Sequence, residues 1–263
     1  MTVTDVIHDG NFGFFGWTDT QGVVMQNSQT LIVALSGTQL TSLSDPFLDA
    51  LCSPHKGSSI GDSWVHSGFW LGQQSPSHNN ASVYETILAR ARQAGGRKVW
   101  LTGHSLGGAM AHIVALRLMR DGVSVQGVIT FAAPQVVAVA SLPPHPPLVG
   151  ANFATLFDNA FQEGGSKRAW RVTTHGDPVP LFPPPGMGGT VWGHCGRVAF
   201  FKADETLAIE PTAAAQSFVP MPWGVLTDHL EYWDRVENDF LNHTSLGSDF
   251  RPYWTRVNPS PPQ

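Results

Sequence analysis

Lys98-Val99-Trp100-Leu101-Thr102-Gly103-His104-Ser105-Leu106-Gly107-Gly108 passes from a short apolar run into a glycine-rich turn. From Leu106 the chain reads as helix as far as Arg120, where Asp121-Gly122 stops it. A buried strand, a tight turn and a helix in that order form the repeating unit of parallel sheets. Within the turn, Gly103-His104-Ser105-Leu106-Gly107 satisfies the pattern G-x-S-x-G. Glycine on either side of the serine lets a strand reverse into a helix without side-chain collision, and the reversal lifts the serine hydroxyl above the sheet. The five-residue pattern is weak by itself; the strand before it and the helix after it give it its weight.

Outward from this unit the same alternation continues. Leu31 to Leu35 is a continuous apolar run ending at Ser36-Gly37-Thr38, as an interior strand would. Ser82 to Gln93 places Val83, Tyr84, Ile87, Leu88 and Ala91 at helical spacing and ends at Gly95-Gly96. Gln126 to Ala132 predicts a third strand, and Trp170–Thr174 and Arg197–Phe201 two more. Proline-rich stretches at Leu142–Pro147, Phe182–Pro185 and Asn258–Gln263 read as loops and a frayed end. The pattern predicts an α/β domain with a mostly parallel central sheet.

Composition narrows the function. The 263 residues are 42% apolar and 13% charged, which excludes a disordered chain and allows one large core. With 15 Lys+Arg against 20 Asp+Glu and no basic cluster beyond pairs, nucleic acid is not an expected partner. No apolar run reaches the ~20 residues of a membrane span, and no basic residue precedes Lys56, so neither a transmembrane segment nor a signal peptide is visible. The expectation is a soluble protein, either a secreted mature form or cytoplasmic. Cys52 and Cys195 are compatible with a disulfide or with two thiols, and the scattered histidines have no metal-ligand spacing. No metal is expected.

A serine hydroxyl needs a histidine base, and the base a carboxylate to orient it; on a strand-turn-helix serine these follow in the order Ser, Asp, His. Asp177 follows the Trp170–Thr174 strand through His175-Gly176, with Asp158 its rival. His229 lies in Asp228-His229-Leu230-Glu231-Tyr232-Trp233, with His194 and His243 its rivals. Spacing leaves both choices open.

Seven segments resemble, in order, those of the class 3 lipases, the fungal-type triacylglycerol lipase family. They are Leu35-Ser36-Gly37-Thr38, Val65-His66-Ser67-Gly68-Phe69, Thr102 to Gly108, Phe131-Ala132-Ala133-Pro134, Asp177-Pro178-Val179-Pro180, Trp192-Gly193-His194-Cys195-Gly196 and Asp228-His229-Leu230-Glu231-Tyr232. The resemblance implies one α/β-hydrolase domain over residues 1–263, with helices on both faces of the sheet. It implies Ser105 as nucleophile, Asp177 as orienting acid, His229 as base and then acid, and Thr38 with the N–H of Leu106 as the oxyanion hole. His194 becomes structural by that comparison, and no cofactor is required. Ser36 stands where many relatives carry Arg, and Met1–Asn27 has no counterpart of the fungal N-terminal helix.

The segment from Gln39 to Ser59 lies where the family places its lid, and Leu40, Leu43, Phe47, Leu48 and Leu51 give it an apolar face. The expected partner is an ester or lipid substrate at a lipid–water interface. The expected reaction is ester cleavage through an acyl-enzyme; the alternatives are a carboxylesterase, feruloyl esterase or phospholipase with the same triad, and a non-catalytic binding module on the same scaffold.

Overall fold

A computed structural model describes residues 1–8, 21–36, 52–76, 81–162, 168–210, 227–230, 232 and 235–236. Two compact units divide the chain: the first comprises 1–172 and 179–198, the second 173–178 and 199–263.

In the first unit β1 (Thr2–His8), β2 (Gln21–Gln26) and β3 (Thr30–Leu35) form an antiparallel meander. A smaller antiparallel sheet begins with β4 (Pro54–Gly57) and β5 (Ser63–His66), which lead into helix α1 (Ser67–Gln74) and then α2 (Val83–Arg92). The pattern of the central unit follows: β6 (Lys98–His104), α3 (Leu106–Arg120) and β7 (Val125–Phe131). β8 (Val137–Ser141), α4 (Phe153–Ala160), β9 (Ala169–Thr174), β10 (Thr190–Gly193) and β11 (Arg197–Phe201) complete the unit, the ends of β9 and β11 passing into the second. The large sheet of this unit runs β1-β2-β3-β6-β7-β9, with β3, β6, β7 and β9 all parallel. The second sheet is ordered β10-β8-β5-β4. This is the mostly parallel sheet of an α/β-hydrolase fold.

Strand spacing explains the core. Residues alternate in and out along β3, where Leu31, Val33 and Leu35 are buried. Helix α3 packs on β6, β7 and β3 and buries Ala109, Met110, Ala111, Ile113, Val114, Ala115 and Leu118. A helix apolar on nearly every side must sit inside the protein. α2 opens on a capping box: the Ser82 hydroxyl accepts from Glu85 N–H at 3.1 Å, and the Glu85 carboxylate accepts from Ser82 N–H at 2.7 Å. On one side of α4 Phe153 stacks on Phe157, which meets Phe161 just past the helix end in a tilted contact, at a spacing of four residues.

Cys52 and Cys195 are buried thiols, not a disulfide. His66 fixes the start of α1: its Nδ1 accepts from Gly68 N–H at 3.1 Å, so its Nε2 carries the proton and faces Cys52 Sγ at 3.3 Å. The end of the 39–59 segment is strand and 3-10 turn, Pro54–Gly57 and Ser58–Ile60, with the strand held by pairing with β5. Residues 39–51, which carry the apolar side chains of the expected lid helix, lie outside the described residues, as does the 258–263 tail.

In the second unit, Ala199–Phe201 of β11 pair antiparallel with β12 (Leu207–Ile209). The unit also holds the turn 173–178 and helix α5 (Thr227–Leu230). Among the described residues, no helix is long and apolar enough to cross a membrane.

Candidate active site

In the first unit, Ser105 sits between β6 and α3 with φ 54° and ψ −128°, a conformation that an L-residue adopts at a cost of about 1–3 kcal/mol. Hydrogen bonds hold it there. Ser105 N–H donates to Phe131 O at 2.9 Å, and the Ser105 carbonyl accepts from Gly108 N–H at 2.9 Å and Ala109 N–H at 3.2 Å. The glycines are demanded by contact. A Cβ on Gly103 would strike the backbone of Gly107, one on Gly107 would strike the Leu35 carbonyl of β3, and one on Gly108 would lie 2.9 Å from Ala133 Cβ. Leu106 and Gly107 open α3, so their N–H groups lie beyond the reach of any carbonyl of that helix and point toward its N-terminal end. Such N–H groups suit an oxyanion.

In the second unit, the chain leaves Thr174 through His175, whose N–H donates to Phe201 O at 2.8 Å, and turns at Gly176 with φ 92°. The turn delivers Asp177 into a fully buried position. His229, equally buried, places Nδ1 3.1 Å from Asp177 Oδ1 and 3.0 Å from Oδ2. A carboxylate only accepts, so the proton is on Nδ1 and the lone pair of the neutral ring is on Nε2, the tautomer a general base needs.

Tyr232 was given no role by sequence reasoning, yet it completes this pair. Its hydroxyl donates to Asp177 Oδ2 at 2.7 Å and accepts from Thr174 N–H at 3.1 Å. Burial, and then the charge of Asp177, pushes the phenol well above its ordinary pKa, so it stays a donor. The signal that could have found it is its place three residues after His229, the spacing at which two side chains of a helix would face the same way.

The rivals are engaged elsewhere, in the first unit. Asp158 Oδ1 accepts from Gly196 N–H at 2.7 Å. His194 is half-buried and its Nε2 donates to Pro180 O at 2.8 Å. Burial holds the His194 ring neutral, its pKa well below the ordinary value, and the positive charge of Arg171 acts in the same direction. Arg171 itself donates from Nε to Cys195 O at 3.0 Å. His243 and Thr38 lie outside the described residues. Of the five expected site residues, Asp177 and His229 are brought together in the second unit, and Ser105 and Leu106 stand side by side in the first.

Phospholipase A1-II 6 of rice, Oryza sativa subsp. japonica, is 28% identical over 188 residues, 65% of this chain and 44% of the relative. The chain thus spans less than half the length of that curated relative. Among solved structures, the triacylglyceride lipase of Rhizomucor miehei superposes with a TM-score of 0.61 at 21% identity, over 88% of this chain and 80% of that one. The lipase of Rhizopus microsporus var. chinensis gives 0.61 at 22% identity, over 88% of this chain and 73% of that one. At such identities the likeness establishes the fold. The family model described as Lipase (class 3) matches residues 32–187, more than half of the sequence, and the chain belongs to the class 3 lipase family.

Proposed function

We propose that the protein is a serine hydrolase that cleaves carboxylic esters of lipids, with Ser105 as nucleophile, His229 as base and Asp177 as the acid that orients it. The observation that carries the reading is the buried hydrogen bond between His229 Nδ1 and Asp177, which prepares a neutral imidazole to take a proton. In the first half-reaction Ser105 Oγ attacks the ester carbonyl while His229 Nε2 takes the hydroxyl proton. The Leu106 N–H, with Thr38 as second donor by family resemblance, stabilises the tetrahedral oxyanion. Collapse breaks the acyl–oxygen bond, and the imidazolium gives its proton to the departing alcohol. Water then attacks the acyl-enzyme with His229 again as base, which frees the carboxylic acid and restores Ser105.

A triacylglycerol is the substrate favoured by the family and by the solved neighbours. The rice relative's name favours a second reading, a phospholipid ester cut by the same residues. Hydrolysis of p-nitrophenyl esters from acetate to palmitate, of emulsified triolein and of phosphatidylcholine, run with wild type and Ser105→Ala, separates them. Serine-dependent cleavage of triolein and long chains is expected, with turnover by Ser105→Ala reduced at least about 1000-fold. Activity confined to phosphatidylcholine moves the substrate to phospholipids, activity confined to short esters moves it to an esterase's, and activity that survives Ser105→Ala overturns the mechanism.

A further inference from the structure

We propose that the β8–β10 edge of the small sheet, with the proline turns beside it, docks the protein on an uncharged lipid surface. The proposal rests on the lipid-ester reading above and adds to it the surface that presents the enzyme to its substrate.

Two long stretches of a chain that is 13% charged hold no Asp, Glu, Lys or Arg at all: Gly122 to Phe157 and Pro178 to Gly196. The fold lays them against each other. Ser141 pairs with Thr190, Ala140 with Val191 and Val137 with Gly193, with a bulge between Val191 and Trp192. Beyond the strand, Leu142 N–H donates to Gly189 O at 2.7 Å and the Ser141 hydroxyl to Pro146 O at 2.6 Å. Gln135 ties in the 179–185 segment: its side-chain amide donates to Leu181 O at 2.9 Å, and its N–H to Phe182 O at 2.7 Å.

This uncharged region leaves large apolar side chains in water. Val139 is 49% exposed, Leu142 37% and Leu181 44%. Around them Pro143, Pro144, Pro146, Pro147, Pro184 and Pro185 are also exposed. Proline has no N–H, so a proline-rich turn has fewer backbone donors to strip of water when it meets hydrocarbon. Such a surface suits a lipid film, where apolar side chains gain by insertion and no partner groups require matching. An anionic membrane would be met by Lys or Arg, each favourable near negative headgroups, and this region has neither. The region ends where charge returns, at Gly150 beside Lys56 and at Arg197. His145, packed over Gly189, the half-buried His194 and the buried Cys195 thiol are the titratable groups in the two stretches.

Binding is read on the Ser105→Ala protein, which leaves the lipid intact, by flotation with triolein droplets coated in phosphatidylcholine. The expected result is binding that high salt does not weaken, and a loss of at least about tenfold in the Leu142→Asp/Leu181→Asp variant. Val139→Asp is an independent variant with the same expected direction, and thermal unfolding confirms that each variant is folded. Leu71→Asp, on the exposed side of α1 at 50% exposure, is the control and is expected to bind as the parent does. The proposal is overturned if the parent does not bind, if Leu71→Asp weakens binding as much as the double variant, or if the folded variants bind unchanged. Binding restricted to droplets containing phosphatidylglycerol and abolished by salt overturns it in favour of an anionic surface. A lipid-free dimer that the double variant dissolves overturns it in favour of a second copy of the chain. Failure of the catalytic reading is separately visible, as hydrolysis of soluble p-nitrophenyl butyrate that does not require Ser105.

Discussion

Tyr232 is held between Thr174 N–H and Asp177 Oδ2, so it both receives a fixed orientation and passes one on. Removing its hydroxyl takes one hydrogen bond from a buried carboxylate, an interaction in the range of about 1.5–3 kcal/mol for charged partners. Part of that loss is felt when His229 becomes imidazolium, because Asp177 must then hold a cation in register. Tyr232→Phe is expected to lower kcat about tenfold with KM little changed, measured by steady-state hydrolysis of a soluble ester. A wild-type kcat would show that the Tyr232 hydroxyl is not needed to position Asp177. Ser105 was legible in the sequence because its chemistry is local: the glycines that strain it stand within three residues on either side. Asp177 and His229 were legible only as candidates until resemblance chose them, since 52 residues separate the pair. Tyr232 was not legible, because its partner Asp177 is equally remote and a tyrosine near a histidine is usually core.

At the scale of elements, the central unit β6–α3–β7 was the easiest to read, since long runs of one periodicity leave little ambiguity. The small sheet and α1 were not foreseen. β4, β5 and β10 have four residues each, too few to show alternation, and α1 contains Gly68 and Gly72, which weaken its helical signal. α4 did carry a signal, Asn152 as N-cap before Phe153 and Phe157. The glycines of the elbow link elements, and their substitutions should differ from those of ordinary glycines. Gly107→Ala would press a methyl into the backbone of β3, which cannot move aside as a flexible side chain can, and is expected to destabilise by at least about 3 kcal/mol. Gly122, unlike Gly107, has a positive φ, 83°, but open space around its Cβ position, so Gly122→Ala should cost only about 1 kcal/mol. Urea unfolding of the two variants beside wild type measures the difference, and equal losses would mean that the close approach of α3 to β3 is not what fixes Gly107.

For the molecule as a whole, buried histidines tie stability to pH. His66, at the start of α1, is pushed down to about 3 by burial. His112, inside α3 and edge-on to Phe157 at 5.3 Å, is also pushed down to about 3, by burial first and by the charge of Arg171 second. His194 shifts in the same direction. In the unfolded chain these rings regain a pKa near ~6.5, so between about pH 6.5 and 3 the unfolded state binds more protons than the folded one. Stability therefore rises with pH across that window: the contribution is fully present above the unfolded value and is lost as pH falls toward 3. Each such histidine adds a slope approaching about 1.4 kcal/mol per pH unit. Carboxylates titrate in the lower part of the window, so the assignment needs a variant. His112→Leu keeps a side chain of similar size in the same apolar surroundings and removes the proton site. Urea unfolding free energies at pH 7, 6, 5 and 4 should fall for wild type and fall less steeply for His112→Leu, by about one proton's slope between pH 6 and 4. Parallel curves for the two proteins would show that His112 binds its proton equally in the folded and unfolded chains, and that burial of this ring does not set the acid limit of the fold.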